Sequence, residues 1–202
     1  MKHDNRELRA DMKYVLATDN PGKILEMREI LSSLGIEITT RKELGVDVQI
    51  EETGSTFLEN AMLKADAICR ITGFPAIADD SGLIVDALDG APGVYSSSYG
   101  GEELDDSGRC GYLLDNMRDI GQRSARFVCT IVCRFPDGRV ISAEGECRGN
   151  IISAPRGCNG FGYDPVFLLE GSDMTMAELT SEQKNALSHR GKALRSFALL
   201  LK

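Results

Sequence analysis

Apolar residues recur along this chain in two rhythms. Lys13-Tyr14-Val15-Leu16-Ala17 is a short continuous run, the pattern of a buried strand, and Ile24, Met27, Leu31 and Leu34 then return at helical spacing up to Gly35. Asn20 suits the N-cap of that helix and Pro21 its first position. A second strand is predicted near Glu37-Ile38-Thr39, followed by an irregular stretch reaching Gly54. Thr56 then opens a helix, with Glu59 as its capping-box partner and Leu58, Met62, Ala65 and Cys69 as its apolar stripe, ending at Gly73. Phe74 to Ala78 predicts a strand whose end delivers Asp79-Asp80-Ser81, after which Gly82 lets the chain turn into a further apolar stretch, Leu83 to Leu88.

The second half alternates more regularly. A helix around Cys110 to Met117 offers Leu113, Leu114 and Met117 to a core. Phe127, Cys129, Ile131, Cys133 and Phe135 share one face of a strand whose other face, Val128, Thr130 and Val132, is also fairly apolar, so the strand is expected to be central. Pro136-Asp137-Gly138 signals a tight turn, and Val140 to Ile152 returns as a long antiparallel partner. Val166 to Leu169 is one more strand. Thr180 or Ser181 caps a short helix, Ser188-His189-Arg190-Gly191 interrupts it, and a last amphipathic helix packs through Leu194, Phe197 and Leu201. The expected fold is α/β, a mixed central sheet flanked by helices, in one domain over residues 12–202. Residues 1–11, charged and without periodicity, read as a variable extension.

Composition narrows the function. A hydrophobic content of 42% supports a buried core, while a formal charge of −8 argues against a partner as acidic as duplex nucleic acid. No apolar run approaches the roughly 18 residues that span a bilayer. Without a secretion signal the six cysteines are expected to be reduced, mostly buried, and cytoplasmic. Cys129 and Cys133, four strand residues or roughly 13 Å apart, are too distant to share a disulfide or a zinc ion.

Several stretches carry chemistry, each with a plainer alternative. Thr18-Asp19-Asn20-Pro21-Gly22-Lys23 places polar side chains and a lysine at a helix start, which suits either a phosphate or a well-capped surface helix. It lacks the spacing of a Walker loop. Asp79-Asp80-Ser81 is either a solvated turn or an acid pair that needs a cation. Asn60 and Lys64 share a helix face that meets solvent or an anion. Phe161, between two glycines, either stacks on a nucleobase or plugs the core. His189 stands with Lys184 and Arg190 in a compact group of donors, although a lone histidine is often structural.

Taken together, six stretches in order resemble the inosine triphosphate pyrophosphatase family. They are Thr18 to Lys23, Glu51 to Ala61 with Lys64, Ala76 to Gly82, Gly90 to Ser96, Gly160 to Pro165, and Glu182 to Gly191. The resemblance implies a mixed α/β fold of elongated form, two lobes around a cleft, a homodimer, and Mg²⁺-dependent hydrolysis of ITP, dITP and XTP to the monophosphate and pyrophosphate. It places Thr18, Asp19, Asn20, Pro21, Gly22, Lys23 and Lys64 around the phosphates, and Glu51 and Asp80 on the metal, with Glu52 a further candidate. Asp80 would activate the attacking water, with Asp79 an alternative, and Ser81 would contact substrate. Phe161, Gly162, Tyr163, Asp164, Lys184, His189 and Arg190 would receive the base. One departure stands out: where bacterial relatives commonly follow Pro-Gly-Val-Tyr-Ser with Ala-Arg, this chain has Ser97-Ser98.

Overall fold

A computed structural model describes residues 13–201. The expected variable extension, residues 1–11, lies outside the described residues. Strand β1 (Tyr14–Leu16) leads into helix α1 (Pro21–Ser33), and β2 (Ile38–Thr40) precedes α2 (Phe57–Thr72). Strand β3 (Ala76–Val85) is followed, after two short 3₁₀ turns, by α3 (Asp106–Asn116), β4 (Ser124–Arg134) and β5 (Val140–Ile151). Strand β6 (Phe167–Leu169) and helices α4 (Ser181–Leu187) and α5 (His189–Leu200) complete the order. The six strands form one sheet in the order β2-β1-β3-β4-β5-β6. β1 pairs in parallel with β2 and β3, and the remaining pairs are antiparallel, so the sheet is mixed as expected.

Local sequence accounts for the elements. Asn20 caps α1 by accepting from the Lys23 N–H, with Pro21 just inside. Thr56 and Glu59 form the reciprocal capping box of α2. The stripe of α2 is shifted from the expected one: Ala61, Ala65, Ile68 and Cys69 are buried, whereas Leu58 is exposed. Ser188 ends α4 and caps α5 through the Gly191 N–H, so the interruption is a junction between two helices.

The placement of the acid pair corrects the sequence expectation. β3 does not end at Asp79-Asp80 and turn at Gly82; it runs unbroken to Val85, paired with β4 throughout. β4 is therefore central, and it supplies enough ladder to carry β3 past the polar residues. Gly82 serves close approach instead: a Cβ there would collide with the Gly93 carbonyl and sit 2.5 Å from Ser96 Oγ. β1 pairs with only the first residues of β3, Val15 with Ala76 and Leu16 with Ile77. Farther along that same edge the chain folds back, where Leu83 N–H donates to Ser96 Oγ and Val85 N–H to the Ala91 carbonyl. Asp79 to Ser81 lie in the interval between.

Three apolar clusters frame that interval. One, built on Leu16, Met27, Ile77, Ile131 and Phe197, lies between the sheet and helices α1 and α5. A second joins Leu83, Leu113, Phe127, Tyr163 and Phe167 beneath α3. The third packs α2 on the opposite face through Ala61, Ala65, Ala78 and Val132. The first two are the cores of two lobes, and the polar residues of β3 fall between them.

Candidate active site

A cavity of about 350 Å³ opens over this interval. At one end stands the start of α1. Thr18 Oγ1 accepts from the Asn20 N–H at 3.2 Å and Asn20 Oδ1 from the Lys23 N–H at 3.0 Å, so the loop is held by its own side chains. Thr18, Asp19, Asn20 and Lys23 line the cavity; Pro21 and Gly22 do not. Gly22 instead lies under the Phe161 ring, where a Cβ would come within 2.5 Å of a ring carbon. The absence of a side chain at 22 is thus what lets the two loops meet.

The two aspartates diverge because strand side chains alternate. Asp79, 1% exposed, faces α1 and α5, where Lys23 Nζ and Arg190 Nη2 each approach its Oδ2 at 3.1 Å. Burial alone would raise its pKa, but Lys23 and Arg190 outweigh that and hold it well below the usual carboxylate range. Asp80 faces α2 and the cavity. Lys64 Nζ donates to its Oδ1 at 3.1 Å and Asn60 Nδ2 to its Oδ2 at 3.3 Å. There burial prevails over Lys64 and raises the Asp80 carboxyl pKa. The shared face of Asn60 and Lys64 is turned away from bulk solvent, onto Asp80, with Lys64 at the cavity wall. Lys64 also reaches Glu52 at 2.8 Å, and despite burial these carboxylates keep it protonated, with its pKa raised.

Over the Gly22 side of the Thr18 to Lys23 loop, Phe161 lies with Lys184 Nζ 4.6 Å and the Arg190 guanidinium 5.5 Å from its ring centre. Asp164 fixes this loop: it accepts from the Phe161 N–H at 2.9 Å and is ion-paired with Lys184. Tyr163 is buried, its hydroxyl donating to the Ser96 carbonyl at 2.8 Å, and Gly162 N–H donates to Asp106 at 2.7 Å. His189 stacks on Phe127, 4.8 Å between centres, and its Nδ1 is buried without a hydrogen-bond partner. Burial and the neighbouring Arg190 and Lys184 push its pKa well below the ordinary value, so it is a neutral imidazole at pH 7.

Arg190 is the hub between the lobes. Its guanidinium donates to Asp79 from Nε and Nη2, to Ser81 Oγ at 2.8 Å, and to Glu26 at 2.5 Å. Four of its five N–H groups are thus spent on protein, which leaves it little capacity to read a base edge. Glu26, which sequence reading passed over, pairs with both Lys184 at 2.6 Å and Arg190. Burial opposes its charge, but these two cations lower its pKa. Its signal in the sequence was faint yet present: an acid one residue before Met27, on the buried side of an amphipathic helix.

The structure brings Thr18, Asp19, Asn20, Lys23, Lys64, Asp80 and Ser81 to one cavity with Phe161 through Asp164, Lys184, His189 and Arg190. Glu51 is exposed and outside the lining, whereas Glu52 is part of it. Arg41, Asp106 and Arg109 also line it and were not foreseen. Among the described residues no three His, Cys, Asp or Glu side chains form a ready-made metal site. Glu52 and Asp80, drawn to one lysine at the cavity wall, are nonetheless the hard oxygen donors that suit Mg²⁺, which commonly takes one or two carboxylates and completes its shell with water and substrate phosphate.

Comparison with known proteins places the chain in a family. The chain is 46% identical over 189 residues to a dITP/XTP pyrophosphatase of Bacillus subtilis (strain 168), covering 93% of this chain and 96% of that one. It is 50% identical over 187 residues to a dITP/XTP pyrophosphatase of Thermus thermophilus, covering 92% and 89%. The Ham1 protein of Staphylococcus aureus superposes with a TM-score of 0.84 at 41% identity, covering 94% of this chain and 97% of its own. A HAM1 protein from Coxiella burnetii gives 0.86 at 43%, covering 94% and 98%. The sequence profile of the Ham1 family matches residues 14–199, nearly all of the described chain, and the protein belongs to that family.

Proposed function

We propose that the protein hydrolyses the triphosphates of deaminated purines, dITP or ITP and XTP, to the monophosphate and pyrophosphate. The observation that carries the reading is that Asp80, alone of the acid pair, faces the cavity, with its proton affinity raised by burial. It shares that cavity with a phosphate-type helix start and an aromatic loop, the parts that suit a nucleotide's tail and its base.

In this mechanism Thr18, Asn20 and Lys23 hold the phosphate tail at the start of α1, and Lys64 adds charge beside it. Asp80 orients a water against the α-phosphorus and accepts its proton. The new bond forms from that water's oxygen to the α-phosphorus, and the bond to the α–β bridging oxygen breaks, so pyrophosphate leaves with the electron pair. Asp80 and Glu52 would hold Mg²⁺, which when bound supplies positive charge to the phosphate oxygens. Glu51 lies outside the cavity lining.

Phe161 provides a stacking surface, and Lys184 a donor beside it. Hypoxanthine and xanthine offer an acceptor oxygen at position 6, where adenine offers an amino donor, so a site lined with donors leaves adenine unmatched. Arg190 and Glu26 act behind these groups by fixing Lys184, Ser81 and Asp79. Cytoplasmic location and a homodimer accompany the reading as the family resemblance implies.

The test is release of pyrophosphate from ITP, dITP, XTP, ATP and GTP with Mg²⁺. The first three should be turned over far faster than the last two. Equal rates on all five, or orthophosphate as the first product, would overturn the assignment, and binding without turnover would make the protein a nucleotide sensor instead.

A further inference from the structure

Asp19 poses a problem for a phosphate loop, because a carboxylate at the mouth of such a site repels a triphosphate. The structure shows what it does. Its two oxygens engage the guanidinium of Arg41, Nε at 2.8 Å and Nη2 in an ion pair, while Arg41 Nη1 donates to the Val48 carbonyl at 2.5 Å. The fork is held from two sides, and the arginine side chain is only 12% exposed against 52% for Asp19. Arg41 nevertheless lines the cavity, and three bonds leave two of its five N–H groups without an assigned partner.

The contacts at the two ends of the Thr18 to Lys23 loop say which part of a ligand Arg41 faces. Phe161 reaches from the loop before β6 over Gly22, at the helix end of the Thr18 to Lys23 loop, and Asp80 lies on β3 in the middle of the sheet. Arg41 follows β2, an edge strand, and holds Asp19 at the other end of that loop. A nucleotide with its base at Phe161 and its α-phosphorus at Asp80 extends its outer phosphates across β1 toward β2. The two lysines of the cavity nearest this end are already matched to acids, Lys23 to Asp79 and Lys64 to Asp80 and Glu52. An arginine fork, unlike a lysine, can hold one carboxylate on an edge and still present donors to a phosphate.

We infer that Arg41 is a further binding residue that grips the outer, β- and γ-, phosphates of the substrate and so the departing pyrophosphate, and that Asp19 is the residue that positions it. The inference rests on the proposed pyrophosphatase activity for its direction along the nucleotide, but pyrophosphate itself is a sufficient probe. Inhibition constants for pyrophosphate and for IMP, with KM for ITP, are to be measured in wild type, R41Q, R41K and D19N, with melting curves of each. R41Q should raise both the KM and the pyrophosphate constant about tenfold, about 1.4 kcal/mol, and leave the IMP constant within about twofold. R41K, which keeps the charge and loses the fork, should recover only part of that loss, and D19N should fall between wild type and R41Q. An unchanged pyrophosphate constant in a folded R41Q, or equal losses for pyrophosphate and IMP, would overturn the inference. If wild type releases no pyrophosphate from any nucleotide, the proposed activity fails; calorimetric binding of pyrophosphate to wild type and R41Q then decides the role of Arg41, and no binding to wild type refutes it.

Discussion

Asp79 and Asp80 are consecutive residues whose carboxylates lie on opposite faces of one strand. Asp79 is neutralised by Lys23 and Arg190 at 3.1 Å each, and Asp80 is held by Lys64 at 3.1 Å on the side that opens to the cavity. The two substitutions should therefore fail differently. Asp79→Asn removes the acid partner of half-buried Lys23 and one of the two acid partners of buried Arg190, and should cost about 3–5 kcal/mol of stability. Asp80→Asn should keep the fold and nucleotide binding and lose about 10²–10⁴ in kcat. Denaturant melts beside turnover assays separate them; equal effects on stability would contradict the division of roles.

Gly22 and Phe161 give a second case where stability and activity part. Alanine is a better helix residue than glycine by up to about 1 kcal/mol, so Gly22→Ala in the first turn of α1 should leave the melting temperature level or higher. Its methyl group must displace the Phe161 ring, and kcat/KM for ITP should fall about tenfold or more, in keeping with a stacking contact of about 1–3 kcal/mol. A drop in both quantities would mean that the contact is merely structural.

His189 makes stability depend on pH in a definite direction. It is buried neutral with its pKa depressed, so below the ordinary value of about 6.5 the unfolded chain takes up a proton that the native one does not. Stability contributed by this residue is present above that pH and falls as the pH drops beneath it. His189→Asn should flatten the slope of stability between about pH 5 and 6.5. Below about pH 4 the depressed carboxyls of Asp79 and Glu26 add a further loss in the same direction, since the unfolded chain binds their protons first.

The thiols offer a simple check of the core. Cys69, Cys110, Cys129, Cys133 and Cys147 are buried, and burial pushes their pKa values up, to about 12 for Cys110, Cys129 and Cys133. Cys158 alone is exposed. A thiol reagent should modify one cysteine in the native protein and six after denaturation, and Cys158→Ser should abolish the native reaction. Rapid modification of a second thiol would show that the packing is looser than described.

Much of this was legible in the residues because local chemistry dictated it. The caps at Asn20 and Thr56, the hairpin at Pro136 to Gly138 and the two-faced apolar pattern of β4 each follow from neighbours a few positions apart. The misreadings have a common physical source. Asp79 to Gly82 looked like a strand end because those residue types favour turns, yet β4 supplies a full ladder that overrides local preference. Glu26, Arg41 and the commitment of Arg190 to Asp79 and Ser81 depend on partners up to 164 residues away, which spacing cannot reveal. Glu51 and Glu52 were alike in sequence, and only the path of the segment before α2 turns the second toward Lys64.

The central claim is attack at the α-phosphorus by a water held at Asp80. Hydrolysis of ITP in ¹⁸O-labelled water, followed by mass spectrometry of both products, tests it directly. The account predicts one ¹⁸O in the inosine monophosphate and none in the pyrophosphate. Label in the pyrophosphate, or its appearance in released orthophosphate, would contradict it.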